Sequence, residues 1–249
     1  MAKIDLNSDL GESFGRYSLG RDSEIIPLVS SVNIACGYHA GDPDVMATTV
    51  KLAEAAGVGI GAHPGFPDLQ GFGRRKLDMK PDQVQHMVTY QVGALQAFTN
   101  NKKLHHVKPH GALYNAAVID HELAVAICQG IYEVDPKLPI YGLANSELIK
   151  AAQEIGLPYA QEAFGDRNYN ADGTLVSRSL PNAVIKDPKE VAKRVSSMVN
   201  DQEIIALDGT KIPLKPDSIC VHGDNQAALD IVKELHVGLN NAGIEIKTF

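Results

Sequence analysis

Short apolar runs recur along this chain, each stopping at glycine or a polar residue, with amphipathic stretches between them. The runs predict strands at Lys3–Ser8, Val29–Ala35, Gly57–Ala62, Leu104–Lys108, Pro139–Leu143, Pro158–Ala163 and Asp217–Val221. Helix punctuation frames what lies between. Asp42-Pro43 opens Asp44–Ala56 and Gly57 closes it, Pro81 opens a longer helix through Phe98, and His121–Tyr132 supplies another. Asn145 caps Ser146–Ile155 ahead of Gly156, Asp187-Pro188 starts Lys189–Asn200, and Asp224 caps Asn225–Asn241 with Gly243 just beyond. Strands alternating with helices over short connections imply a parallel sheet. About seven such strands favour an α/β fold closed, or nearly closed, into a (β/α) barrel. One stretch breaks the rhythm: Glu203–Lys215 carries Asp208-Gly209 between two β-prone runs, the signal of a small β-hairpin insert. With no linker, repeat or low-complexity stretch, residues 1–249 read as a single domain.

Composition narrows the partners. A net charge of −7 over 249 residues offers no basic face for nucleic acid. No apolar run reaches the ~20 residues of a membrane helix. The opening MAKIDLNSDLGE has no apolar leader, so a cytoplasmic location is expected. Cys36, Cys128 and Cys220 lack CxxC spacing and read as reduced thiols. Neither GxGxxG nor GxxxxGKS/T occurs, which removes support for the two commonest nucleotide-binding α/β folds.

The chemistry gathers at strand ends. VNIACGYHAGD, VGIGAHPGFPD, HVKPHGALYN and ICVHGDN each run from apolar residues into a histidine beside or near glycine, with an acid or amide close behind. They place His39, His63, His110 and His222 where parallel α/β folds keep their active sites. Each histidine alone is as readily a satisfied structural residue, but four at four strand ends are hard to explain that way. His86, His105, His106, His121 and His236 lack that context and are discounted. The first strand adds Asp5 and Asn7 at one parity, with Asp9 and Glu12 in the loop beyond; Glu12 by itself fits a solvated turn. Asp42 and Asp224 double as helix caps and site candidates. Arg74-Arg75 in a Gly-rich loop suit a phosphate or carboxylate, or else plain solvation. Lys108 at a strand end needs an anionic partner if it is buried. Asn115 follows one helical turn after the Lys108-Pro109-His110 run, and the Lys108–Pro109 bond is a candidate for the cis form. Glu162, Asp166 and Arg167 form a charged exit from the sixth strand, with an internal ion pair as the plainer explanation.

The blocks DLNSDLGE, NIACGYHAGDP, GAHPGFPD with GFGRR, KPHGALYN, EAFGDRNY with DGTLVSR, and CVHGDN run in order from Asp5 to Asn225. In this order they resemble the signatures of the LamB/YcsF family, the A subunit of bacterial ATP-dependent 5-oxoprolinase. Ser8 stands where that family often has Cys, and Gly165 where Ala is usual. The resemblance implies a seven-stranded barrel of the glycoside hydrolase/deacetylase-like kind. It also implies hydrolysis of the cyclic amide of 5-oxo-L-proline to L-glutamate, driven by ATP with Mg handled by the assembled complex, alongside B and C subunits. Asp9, His39, Lys108, His110 and His222 are then the expected catalytic set. Asn7, Asp42, His63, Arg74, Arg75, Asn115, Glu162, Asp166, Arg167 and Asp224 are expected to hold substrate. No metal is assigned. A rival reading is a metal-dependent amide or N-acetyl hydrolase with Asp9, His39 and His63 or His110 as ligands. A third is a non-catalytic protein that only binds the lactam.

Overall fold

The computed structural model describes residues 2–221 and 226–249. His222 and Asp224, with the cap assigned to Asp224, lie outside the described residues. The strands are β1 (Ala2–Leu10), β2 (Ser31–Ala35), β3 (Gly59–His63), β4 (His106–Val107), β5 (Ile140–Leu143), β6 (Tyr159–Phe164), β7 (Glu203–Ile205), β8 (Lys211–Pro213), β9 (Ser218–Cys220) and β10 (Ile244–Ile246). The helices are α1 (Asp22–Ile25), α2 (Pro43–Ala56), α3 (Pro81–Phe98), α4 (Gly111–Ala117), α5 (His121–Val134), α6 (Glu147–Ile155), α7 (Pro188–Asn200) and α8 (Gln226–Asn241).

Seven parallel strands, in the order β1-β2-β3-β4-β5-β6-β9, close on themselves through the β9–β1 pairing. β1 is long enough to serve two sets of neighbours. Its first residues pair with β10 (Ala2↔Ile244), while Asp5 onward pair with β9 and Asn7 onward with β2. The expected hairpin forms as antiparallel β7–β8. α1, α4 and β10 were not anticipated: α4 begins at Gly111 directly after the fourth strand end, and β10 is a three-residue strand after the last helix.

Caps follow the chemistry of their side chains. Asp42 Oδ1 accepts from Asp44 N and Val45 N, and Gly57 closes α2 in the left-handed region at φ 70°. Asp187 caps α7 in the same way. Asn145 does not cap α6 as expected. It takes φ +66° one residue earlier and donates Nδ2 to Pro213 O at 3.2 Å, leaving Ser146 at the cap position. The Lys108–Pro109 bond is trans.

Alternation along the strands separates two environments. Leu6, Val32, Ile34, Ala62, Val107, Ile140, Ala163 and Ile219 are all fully buried between barrel and helices, and each larger one contributes roughly 1.5–3 kcal/mol by leaving water. The opposite parity turns inward and is polar: Asp5 and Asn7 on β1, Ser31 and Asn33 on β2, His106 on β4, Glu162 on β6 and Ser218 on β9, none more than 1% exposed. Asp5 accepts from Ser30, Ser31 and Ser218. Asn33 donates to Asn7 at 2.8 Å. A polar interior is stable only when its groups satisfy one another, which these do. Ser8 has the parity opposite to Asn7 and Asp9, so its buried side chain faces away from the interior.

His106, discounted from sequence, belongs to this interior. Its Nε2 meets Asn33 Oδ1 at 2.6 Å and its ring stacks on Tyr141 at 4.0 Å. Gly61, its β-partner, leaves room for the ring, since a Cβ there would run into Nε2. Burial holds the imidazole well below its ordinary 6.5, helped by His105 and Lys108.

Two outcomes follow. Gly61→Ala overpacks the interior and lowers the unfolding free energy by about 1–3 kcal/mol in urea titrations. His106 is neutral when folded and takes up a proton when unfolded, so it contributes stability that is complete above pH 6.5 and lost as pH falls below it. Its share of the acid slope approaches about 1.4 kcal/mol per pH unit, and the slope below pH 6.5 becomes shallower by up to that amount in His106→Asn.

Candidate active site

The carboxyl ends of β1, β4, β6 and β9 meet around one ammonium. Lys108 is 2% exposed, and its Nζ lies 2.9 Å from Asp9 Oδ1, 2.8 Å from Glu162 Oε1, 3.2 Å from Asn7 Oδ1 and 2.9 Å from Cys220 Sγ. Burial alone would depress the lysine. Asp9, Cys220 and Glu162 outweigh it and hold the group well above 10.5, so it is a cation at any physiological pH. Tyr114 on α4 donates to Glu162 Oε2 at 2.7 Å, and burial beside that carboxylate keeps its phenol well above the usual 10. Asp9 is not in a loop as expected. It is the last inward residue of β1, bound by Asn33 at 2.8 Å as well as by Lys108.

Above this floor three imidazoles pack together. His39 and His110 stack in parallel at 3.7 Å, and His63 stands edge-on to both, 5.4 and 4.8 Å away. β4 is only two residues long because Pro109 cannot donate to the ladder. The backbone nevertheless continues beside β3, with Lys108 N bonded to Ala62 O and His110 N to Pro64 O. That extension brings His63 and His110 side by side: His63 Nδ1 bonds Lys108 O at 2.7 Å, His63 Nε2 lies 2.9 Å from His110 Nδ1, and His110 Nε2 bonds Phe72 O at 2.8 Å. Glycines let the loops cover the rings. A Cβ at Gly65 would lie 2.7 Å from His39 Nδ1, and one at Gly73 would lie 2.7 Å from both His39 and His110. Burial, reinforced by the neighbouring histidines, pushes His39 well below 6.5 and His110 to about 3.

Glu12 completes the group, contrary to its reading as a solvated turn. Gly11, at φ +68°, turns the chain so that Glu12 Oε1 lies 3.5 Å from His39 Nε2 and 3.6 Å from His110 Nδ1. Asp9 Oδ2 lies 3.4 Å from His63 Nε2. The donor atoms of Glu12, His39, His63 and His110 all fall within 4.8 Å of one another, a set able to hold a metal ion.

Other expected site residues are committed elsewhere. Asp42 uses one oxygen for its cap and the other for Gly15 N at 2.7 Å. Arg75 turns back to Asp68, with Nε 2.9 Å from Oδ1, and closes its own loop. Arg167 donates to Val176 O at 2.6 Å and Ala183 O at 3.3 Å, fastening the segment after β6, and buried Asp166 fixes the same segment through its carbonyl to Ile185 N. Arg74 is exposed, lies over Phe72 at 5.1 Å, and lines a pocket of about 660 Å³ with Lys76, Asn115 and His121. Tyr114, Cys220 and His106 were missed. Strand parity carried the signal for the last two, while Tyr114 depended on recognising α4. Neither Cys36 nor Cys220 is a ready nucleophile, because burial pushes the Cys36 thiol up to about 12 and raises Cys220 well above its ordinary value.

The comparisons with known proteins run the length of the chain. The pattern of the LamB/YcsF family matches residues 4–249. The chain is 62% identical over 247 residues to the 5-oxoprolinase A subunit of Limosilactobacillus fermentum, covering 99% of each. It is 52% identical over 246 residues to the 5-oxoprolinase A subunit of Pyrococcus abyssi, covering 98% of this chain and 96% of that one. The crystal structure of the lactam utilization protein from Thermus thermophilus superposes with a TM-score of 0.94 at 44% identity, covering 99% of this chain and all of the other. A match over nearly every residue, on a barrel of the expected kind, places this chain in the LamB/YcsF family.

Proposed function

We propose that this chain is the A subunit of an ATP-dependent 5-oxoprolinase, which opens the lactam ring of 5-oxo-L-proline to give L-glutamate together with B and C subunits in the cytoplasm. The observation that carries the reading is the single barrel mouth in which a buried ammonium, three carboxylates and three imidazoles meet, in a chain that is 62% identical end to end to a protein of that name.

An unstrained amide is a poor electrophile. Phosphorylation of the lactam oxygen by ATP with Mg, handled by the assembled complex, makes the ring carbon open to water. Water then adds to that carbon, the carbon–nitrogen bond breaks as the ring nitrogen gains a proton, and a second water releases phosphate from the resulting acyl phosphate. In this reading Asp9, His39, His110 and His222 handle the protons of the attacking water. Lys108 and Arg74 stabilise the anionic oxygens that develop. Asn7 and Glu162 set the direction of the lysine, while Asn115 and Arg74 border the approach.

Reconstitution tests this reading. With all three components present, 5-oxoproline-dependent ATP hydrolysis and glutamate release are expected, and omission of this chain abolishes glutamate release. Lys108→Ala and His110→Ala each reduce glutamate release by about 10²-fold or more. Full glutamate formation without this chain would overturn the catalytic role, and unchanged rates in both variants would overturn the site.

A further inference from the structure

The contacts that fix His63 and His110 create a conflict between them. A carbonyl oxygen only accepts, so His63 carries its hydrogen on Nδ1, toward Lys108 O, and His110 carries its own on Nε2, toward Phe72 O. In the neutral rings, His63 Nε2 and His110 Nδ1 are then both lone pairs, and they face one another at 2.9 Å. His39 adds a third imidazole, fully buried, with neither ring nitrogen hydrogen-bonded among the described residues. Its Nε2 and the Nδ1 of His110 converge on Glu12 Oε1 at 3.5 and 3.6 Å. Lone pairs aimed at one another and at a carboxylate oxygen call for a positive centre among them. Pinning the outer ring nitrogen to a backbone carbonyl is also how metal-binding histidines are oriented.

We propose that Glu12, His39, His63 and His110 form a binding site for one first-row divalent cation of the zinc, cobalt or manganese kind at the barrel mouth. A tetrahedron with bonds of about 2.0–2.1 Å has edges of about 3.3–3.4 Å. Three of the six separations, 2.9, 3.5 and 3.6 Å, fall on either side of that length and all lie within 4.8 Å, so the ion seats once the stacked rings of His39 and His110 turn to point at one centre. Three imidazole nitrogens and one carboxylate oxygen favour these ions over calcium or magnesium, which prefer oxygen alone. Glu12 and Asp9, 14% and 15% exposed, form the open side. Asp9 Oδ2, 3.4 Å from His63 Nε2, stands where it can accept a hydrogen bond from water on the ion. A proton shared between His63 and His110 is the competing occupant. The site does not rest on the lactam reading, because the chain's metal content is measured without substrate or partner proteins.

The full-length chain, purified without chelator, is expected to carry about one equivalent of such a metal. After stripping, it takes up Zn²⁺ and Co²⁺ saturably, and the Co²⁺ form shows the visible bands of a tetrahedral nitrogen–oxygen site. His39→Gln and His63→Gln weaken uptake at least about tenfold. His121→Gln, which changes a surface histidine set between Glu147 and Glu154, retains it. X-ray absorption on the wild-type Zn²⁺ protein, showing imidazole scattering from three ligands, keeps the test valid if a variant fails to fold. A folded wild-type chain that takes up no cation overturns the proposal, as does uptake lost in His121→Gln but kept in His39→Gln and His63→Gln.

Discussion

The structure turns on a lysine that cannot leave. Lys108 is 2% exposed, and an uncompensated ammonium there would cost several kcal/mol or lose its proton. Asp9 and Glu162 prevent both outcomes, and each is in turn held by other interior groups: Asn33 for Asp9, Asn7 and Tyr114 for Glu162. The ion cluster therefore binds β1, the end of β4 and β6 across the barrel interior, where apolar side chains would bring only packing. Removing one partner leaves a buried charge without its counterpart, which is the costly kind of deletion.

The same constraint fixes the reactive geometry. Because Lys108 must reach Asp9 and Glu162, its carbonyl lies where it receives the Nδ1 hydrogen of His63. Pro109 ends the ladder, and His110 then comes beside His63. Loops with glycine at 65 and 73 close over the rings without Cβ atoms in the way. Charge balance below and close backbone approach above together leave a compact, largely dry set of imidazoles, open on the side of Asp9 and Glu12. Dry surroundings keep His39 and His110 neutral, and neutral imidazoles can accept protons or bind a cation.

Much of this was legible in the residues. Strand and helix positions follow from apolar period and from caps such as Asp42 and Asp187, whose side chains act locally. The strand-end histidines His39, His63 and His110 do converge, because parallel strands deliver their ends to one face. What stayed hidden depends on distant neighbours. His106 stands four residues before His110, yet one enters the interior and the other the mouth, and the empty space beside Gly61 explains the difference. Adjacent arginines look equivalent in sequence, but Arg75 is bound to Asp68 while Arg74 lies over Phe72. Glu12 reaches the histidines only because Gly11 turns left-handed, and Asn145 forfeits its cap to reach Pro213.

Coupling between Lys108 and Asp9 is what the barrel mouth depends on. A double-mutant cycle with Asp9→Asn and Lys108→Met, read by urea unfolding of the chain and by glutamate release in the reconstituted complex, measures it directly. The predicted result is strong non-additivity in both readouts: either single change costs several kcal/mol of stability, and the second change costs about 1–3 kcal/mol less once the first is made. Additivity within about 0.5 kcal/mol in stability, with independent effects on glutamate release, would contradict it.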